Sequence, residues 1–77
     1  MRLFARAREA AGAAETEWDA QTVGELLDRA RARFGSEFTA VLASSRVWVN
    51  GDEPSEADAT TLADGDEVAV LPPVSGG

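Results

Sequence analysis

The segment from Thr22 to Gly35 constrains this chain more than any other. Thr22 stands three residues before Glu25, the spacing of a capping box, in which each side chain satisfies a backbone amide left open at a helix start. Val23, Leu26, Leu27, Ala30 and Phe34 recur at helical spacing on one face, while Glu25, Asp28, Arg29, Arg31 and Arg33 mostly take the other. The acids come early and the arginines late, which complements the helix dipole, and Gly35 is placed to end the helix. A chain of 77 residues has room for one domain. It buries only about 60% of the surface its unfolded form exposes, so its core is thin.

The flanking segments supply strands for that helix to cover. Arg2 to Arg8 alternates basic and apolar residues, which predicts a strand with one solvated face. Glu9 to Gly12 is alanine-rich and reads as a short helical turn or a hairpin connection. Glu15-Thr16-Glu17-Trp18 alternates again, with Thr16 and Trp18 on one side, and the two alternating segments are expected to form an antiparallel pair. Ser36 to Ala43 reads as a short second helix or an irregular turn. Arg46 to Val49 is β-branched and aromatic, and Asn50-Gly51 is a turn directly after it. Asp52 to Thr61 is polar and reads as a surface loop with at most one short edge strand; Glu67 to Leu71 is the last strand, after the turn Asp64-Gly65. The order of elements predicts an α+β fold over residues 1–71: a mixed sheet of four to five strands packed on one main helix. With the first and last strands central, this is the ubiquitin-like β-grasp arrangement.

Composition removes most kinds of chemistry. The chain has no cysteine, histidine or lysine, and each of its 7 positive side chains is an arginine. No disulfide or thiolate metal site is available, and the commonest general bases and covalent nucleophiles are missing. Paired carboxylates need a cleft, for which a domain this small has little volume. An enzyme acting alone is therefore not expected, nor any bound cofactor or metal. With 44% hydrophobic residues the chain is too apolar for a disordered segment. The net charge of −7 argues against a nucleic-acid partner. The acidity serves solubility, or steers the molecule toward a partner with a basic docking surface. No stretch approaches the 18 or so apolar residues of a membrane span, and Met1 to Arg6 holds no secretory signal. A cytoplasmic protein without a membrane partner is the expectation.

What remains is the end of the chain, Pro72-Pro73-Val74-Ser75-Gly76-Gly77. The prolines lack a backbone donor, end the strand and favour a stiff, extended exit. The glycines carry no side chain, so a narrow channel could admit residues 72–77, a flexible tail, up to the last carbonyl. The bland alternative is a frayed terminus without a role. The sharper one needs no catalytic side chain. ATP can convert the carboxylate of Gly77 to an acyl-adenylate. Attack by a persulfide sulfur of another protein then leads to a thiocarboxylate, and attack by a lysine amine to an isopeptide bond.

Phe4-Ala5-Arg6-Ala7-Arg8-Glu9, Val49-Asn50-Gly51, Leu62 to Ala69 and above all Pro72 to Gly77 resemble the molybdopterin synthase small subunit (MoaD-like) family of sulfur carriers, over essentially the whole chain. The resemblance implies two partners: an ATP-using adenylyltransferase of the ubiquitin-activating type (MoeB-like) and a large synthase subunit (MoaE-like). Gly77 would be adenylated and converted to a thiocarboxylate, and the tail formed by Pro72, Pro73, Val74, Ser75 and Gly76 would enter the large subunit. Sulfur would pass there to precursor Z in molybdenum cofactor synthesis, the small subunit itself being non-catalytic. The family docks through apolar side chains on the sheet near the tail, at positions matching Phe4 and Leu71. Its apolar residue after the Asn-Gly turn is replaced here by Asp52 and Glu53. Related carriers serve cysteine synthesis or tRNA thiolation, and ubiquitin-like modifiers attach to proteins; both stay open as alternatives.

Overall fold

A computed structural model describes residues 1–73. The elements run β1 (Arg2–Leu3), α1 (Ala5–Ala11), α2 (Val23–Phe34), α3 (Ser36–Ala43), β2 (Arg46–Val49) and β3 (Val68–Leu71), with one 3-10 turn at Ala57–Ala59. The strands form a mixed sheet in the order β1-β3-β2. β1 pairs with β3 in parallel, Leu3 opposite Val70, and β2 pairs with β3 antiparallel, Val47 opposite Val70. A parallel pairing of the first and last strands, with the main helix between them in sequence, is the β-grasp arrangement.

α2 forms as its sequence requires. Thr22 Oγ1 accepts the Glu25 amide at 3.1 Å, while the Glu25 carboxylate reaches back to the Gln21 amide at 3.3 Å rather than to Thr22. The capping box is therefore shifted by one residue on its return arm. Gly35 closes the helix at φ +89, its amide donating to the Arg31 carbonyl, and α3 starts at once. Val23, Leu27 and Ala30 of α2 meet Phe38 and Leu42 of α3, Ala7 of α1, and Leu3 and Val70 of the sheet in one buried cluster. Phe34 bridges Phe38, 5.0 Å between ring centroids, and Trp18 at 5.9 Å.

Three expectations need correction. Arg2 to Arg8 is not one strand: β1 stops at Leu3 and Ala5–Ala11 is helical. Its buried and partly buried residues Ala7, Ala10 and Ala11 follow the helical period, not the period of two, and alanine has the highest helix propensity. The antiparallel pairing of the first two segments shrinks to the single bridge Arg2–Glu15, flanked by Leu3 N–H to the Ala14 carbonyl and Thr16 N–H to the Met1 carbonyl, at 2.8 and 2.9 Å. The described residues hold three strands instead of four to five, and the centre of that sheet is β3, with β1 at one side. The polar stretch 52–61 is a loop, as expected, and carries the 3-10 turn and isolated bridges without an edge strand. Gly24, in the first turn of α2, lets this turn approach: a Cβ there would lie 3.1 Å from both Cβ and O of Asp58.

Candidate functional site

Alternation along the strands separates two faces of the sheet. Leu3, Val68 and Val70 are buried, and Val47 and Val49 pack against the core from β2. Arg2, Arg46, Trp48, Ala69 and Leu71 therefore lie on the outer face, away from the helices. In register, Ala69 stands between Arg2 and Trp48, and Leu71 stands opposite Arg46.

Phe4 continues this face beyond β1. Its amide donates to the Val70 carbonyl at 3.3 Å, which holds it beside the strand end that carries Leu71. The side chain is 40% exposed, the one large hydrophobic group left in solvent among the described residues. The backbone arranges this. Ala5 has φ +48, a left-handed conformation that costs a non-glycine residue energy; it turns the chain sharply into α1, and Ala7 is the first residue past the turn to be buried.

The sheet thus brings together the two docking residues expected from the sequence, Phe4 and Leu71. It adds Ala69 and Trp48, which the sequence marks only as strand formers. Their signal is the strand period itself: Ala69, two residues before Leu71, and Trp48, two residues after Arg46, are outward positions filled by apolar side chains where a purely solvated face would carry polar ones. Past Leu71, Pro72 is half-buried and Pro73 exposed; with Arg6, Ala40, Val41 and Ser44 they line a shallow depression of about 130 Å³ between the strand exit and α3. The expected sites at Val74, Ser75, Gly76 and Gly77 lie outside the described residues.

A second network holds the opposite end of β3. Asn50 donates from Nδ2 to Asp66 Oδ1 at 3.1 Å and accepts the Glu67 amide on Oδ1 at 2.9 Å. Asp66 Oδ2 accepts the Ala63 amide at 2.8 Å. The Ala63 amide, and after it the Asn50 side chain, hold the Asp66 carboxyl below its ordinary pKa. Asn50 itself sits at φ +51 and Gly51 at +86, the pair of left-handed residues that a type I′ turn demands. This lock fixes β2 against β3, and so the placing of Trp48 beside Ala69. Among the described residues no group of acidic side chains has the geometry of a metal site, and no helix is long and apolar enough to cross a membrane.

Comparison with known proteins agrees with this geometry. A family model described as the ThiS family matches residues 1–77. Small archaeal modifier protein 3 of Haloferax volcanii is 38% identical, the match covering 100% of this chain and 96% of that protein. The crystal structure of SAMP1 from Haloferax volcanii superposes with a TM-score of 0.78 at 32% identity, covering 99% of this chain and 94% of the other. The solution structure of small archaeal modifier protein 1 (SAMP1) from Methanosarcina acetivorans gives 0.85 at 30% identity, covering 99% and 92%. With a family match along its full length and these structural relatives, the chain belongs to the ThiS family and has the ubiquitin-like β-grasp fold.

Proposed function

We propose that this protein is a ubiquitin-like sulfur carrier whose reactive group is the Gly77 carboxylate. A partner of the ubiquitin-activating type docks on the outer sheet face at Phe4 and Leu71 and adenylates Gly77 with ATP, releasing pyrophosphate. A persulfide on a sulfur-donating protein then attacks the acyl carbon and expels AMP. A thiol cleaves the resulting S–S bond, itself ending in a disulfide, and the Gly77 thiocarboxylate is free to hand on its sulfur. Membership of the ThiS family along the whole chain is the observation that carries this reading. The exposed Phe4 beside the strand that feeds Pro72 and Pro73 supports the mode of docking. For the recipient we propose precursor Z, in a molybdopterin synthase completed by a large MoaE-like subunit. That assignment rests on the resemblance of the Pro72 to Gly77 stretch.

A second reading shares the adenylate and differs in the nucleophile. The 38% identity to a small archaeal modifier protein favours attack by a lysine amine of a target protein, giving an isopeptide bond. The chain has no lysine, so no lysine-linked chains of it could grow, and single attachments are expected.

Intact mass spectrometry of the protein from its native cell tests the two readings together. Replacement of one oxygen by sulfur at Gly77 is the expected result for the carrier. Target proteins whose intact mass is raised by one copy of this chain less one water, with the free form always a plain carboxylate, would give the modifier reading instead. Loss of molybdoenzyme activity on gene deletion, restored by the intact gene, is expected for the molybdopterin assignment; retained activity refutes it.

A further inference from the structure

Charge is distributed unevenly along β3. At the start of the strand lies a groove of about 390 Å³ whose lining includes Glu15, Glu17, Asp19, Asp64, Asp66 and Glu67. At its end the pattern reverses. Leu71 stands opposite Arg46 in the β2–β3 register, and Arg6 flanks Pro72 and Pro73 in a depression lined by no acid among the described residues. None of the three strands contains an acidic residue.

These two arginines are available. Among the described residues Arg6 has no carboxylate within ion-pair distance. Arg46 has Glu53 at 3.7 Å, with side chains 76% and 72% exposed, a contact that contributes little and exchanges readily. The face by which the chain leaves the domain therefore has an apolar centre, Phe4, Trp48 and Leu71, and a guanidinium rim, in a molecule of net charge −7.

We propose that the partner surface receiving this end is an apolar socket rimmed by carboxylates, which pair with Arg6 and Arg46. The inference rests on the carrier reading for the existence of an activating partner, and deepens it by stating that partner's chemistry. The net charge by itself points the other way, toward a basic partner. Screening decides between them. At physiological salt the Debye length is about 8 Å, so a docked partner feels the charges at its own contact and little of the acidic groove at the far end of the strand. Guanidinium groups bind carboxylates in a planar, two-pronged geometry, which orients as well as attracts. The acidic end turns outward and the tail leads into the socket.

The test uses the full chain and the activating enzyme of the ubiquitin type encoded in the same genome. Adenylation is followed by pyrophosphate exchange, and association rates are measured at low and physiological salt. The double variant Arg6→Glu/Arg46→Glu is compared with Arg29→Glu/Arg31→Glu, which changes the net charge equally on α2, and circular dichroism verifies that both fold. The first is expected to slow association by roughly tenfold or more at low salt, an effect that salt diminishes. The second changes the net charge alone and is expected to slow association less than the first, the difference being clearest at physiological salt, where charges beyond about 8 Å are screened. An unchanged or faster rate for Arg6→Glu/Arg46→Glu overturns the inference, as does equal slowing by both, which would signal net charge instead of this face. Absence of adenylation of the unaltered protein overturns the carrier reading, and this inference with it; normal adenylation with an unaffected face variant overturns this inference alone.

Discussion

Asp66 shows how one carboxylate can hold a small fold together from the surface. It accepts the Ala63 amide and the Asn50 side chain, and Asn50 accepts the amide of Glu67. The two turns flanking the β2–β3 pair are thereby joined. Because these bonds favour the ionised form, the folded pKa is depressed. The contribution of Asp66 to stability is then fully present above its unfolded value and is lost as pH falls through the folded one. Asp66→Ala is accordingly expected to be less stable than the unaltered chain at neutral pH. The gap should close below about pH 4, as read from urea unfolding midpoints across pH. A gap independent of pH would show that the carboxylate's charge is irrelevant there. Asn50 was legible in the sequence as a turn former, whereas its side-chain partners, 16 and 17 residues away, were not. A turn type follows from local φ and ψ preferences, but a long-range hydrogen bond follows only from the strand register.

Among the elements, α2 was the most legible and α1 the least. The ends of α2 are written in local chemistry: Thr22 caps it and Gly35 closes it. Thr22 does more than cap. It bridges to Thr61, and its neighbours exchange backbone bonds with the same segment, Val23 N–H to the Thr60 carbonyl at 3.0 Å and Leu62 N–H to the Gln21 carbonyl at 2.8 Å. Thr22→Ala should cost about 1 kcal/mol, and Thr22→Ser should restore most of it, since serine supplies the same acceptor. Thermal unfolding reads both, at roughly 4–8 °C per kcal/mol for a domain of this size. Equal losses in the two variants would mean that the methyl group, not the hydroxyl, matters. α1 was misread for a physical reason. Over the few residues from Arg2 to Arg8 a basic–apolar alternation satisfies a strand, yet Leu3 and Ala7, both buried, are also one helical turn apart. Short segments fit both periods. The left-handed Ala5 decides between them, and no local preference announces it, since alanine rarely adopts that conformation.

At the scale of the molecule, the buried cluster is built from residues that precede the proposed reactive group at Gly77 in sequence. Among the described residues every member of the buried cluster lies between Leu3 and Val70, and a glycine has no side chain to bury, so removal of Gly76 and Gly77 is expected to leave the unfolding midpoint unchanged while abolishing pyrophosphate exchange with the activating enzyme. A midpoint lowered by several degrees would show that the tail belongs to the fold. The sequence by itself determined that the chain is one α+β domain with a capped central helix, and that it has no histidine, cysteine or lysine. It also offered the Pro-Pro-Val-Ser-Gly-Gly stretch as a candidate place for chemistry, beside the reading of a frayed end. Those are properties of local pattern and of inventory, and they need no knowledge of what lies beside what. Tertiary structure alone decided that the last strand runs between the first and second, that the first strand is two residues long, and that Phe4, Trp48 and Leu71 share one face. It also placed arginines at the exit and acids at the far end of a strand that itself carries no charge. Side-chain neighbourhood across a sheet is set by register, and register is settled by the packing of Leu3, Val47 and Val70 against the helices, many residues away in the chain.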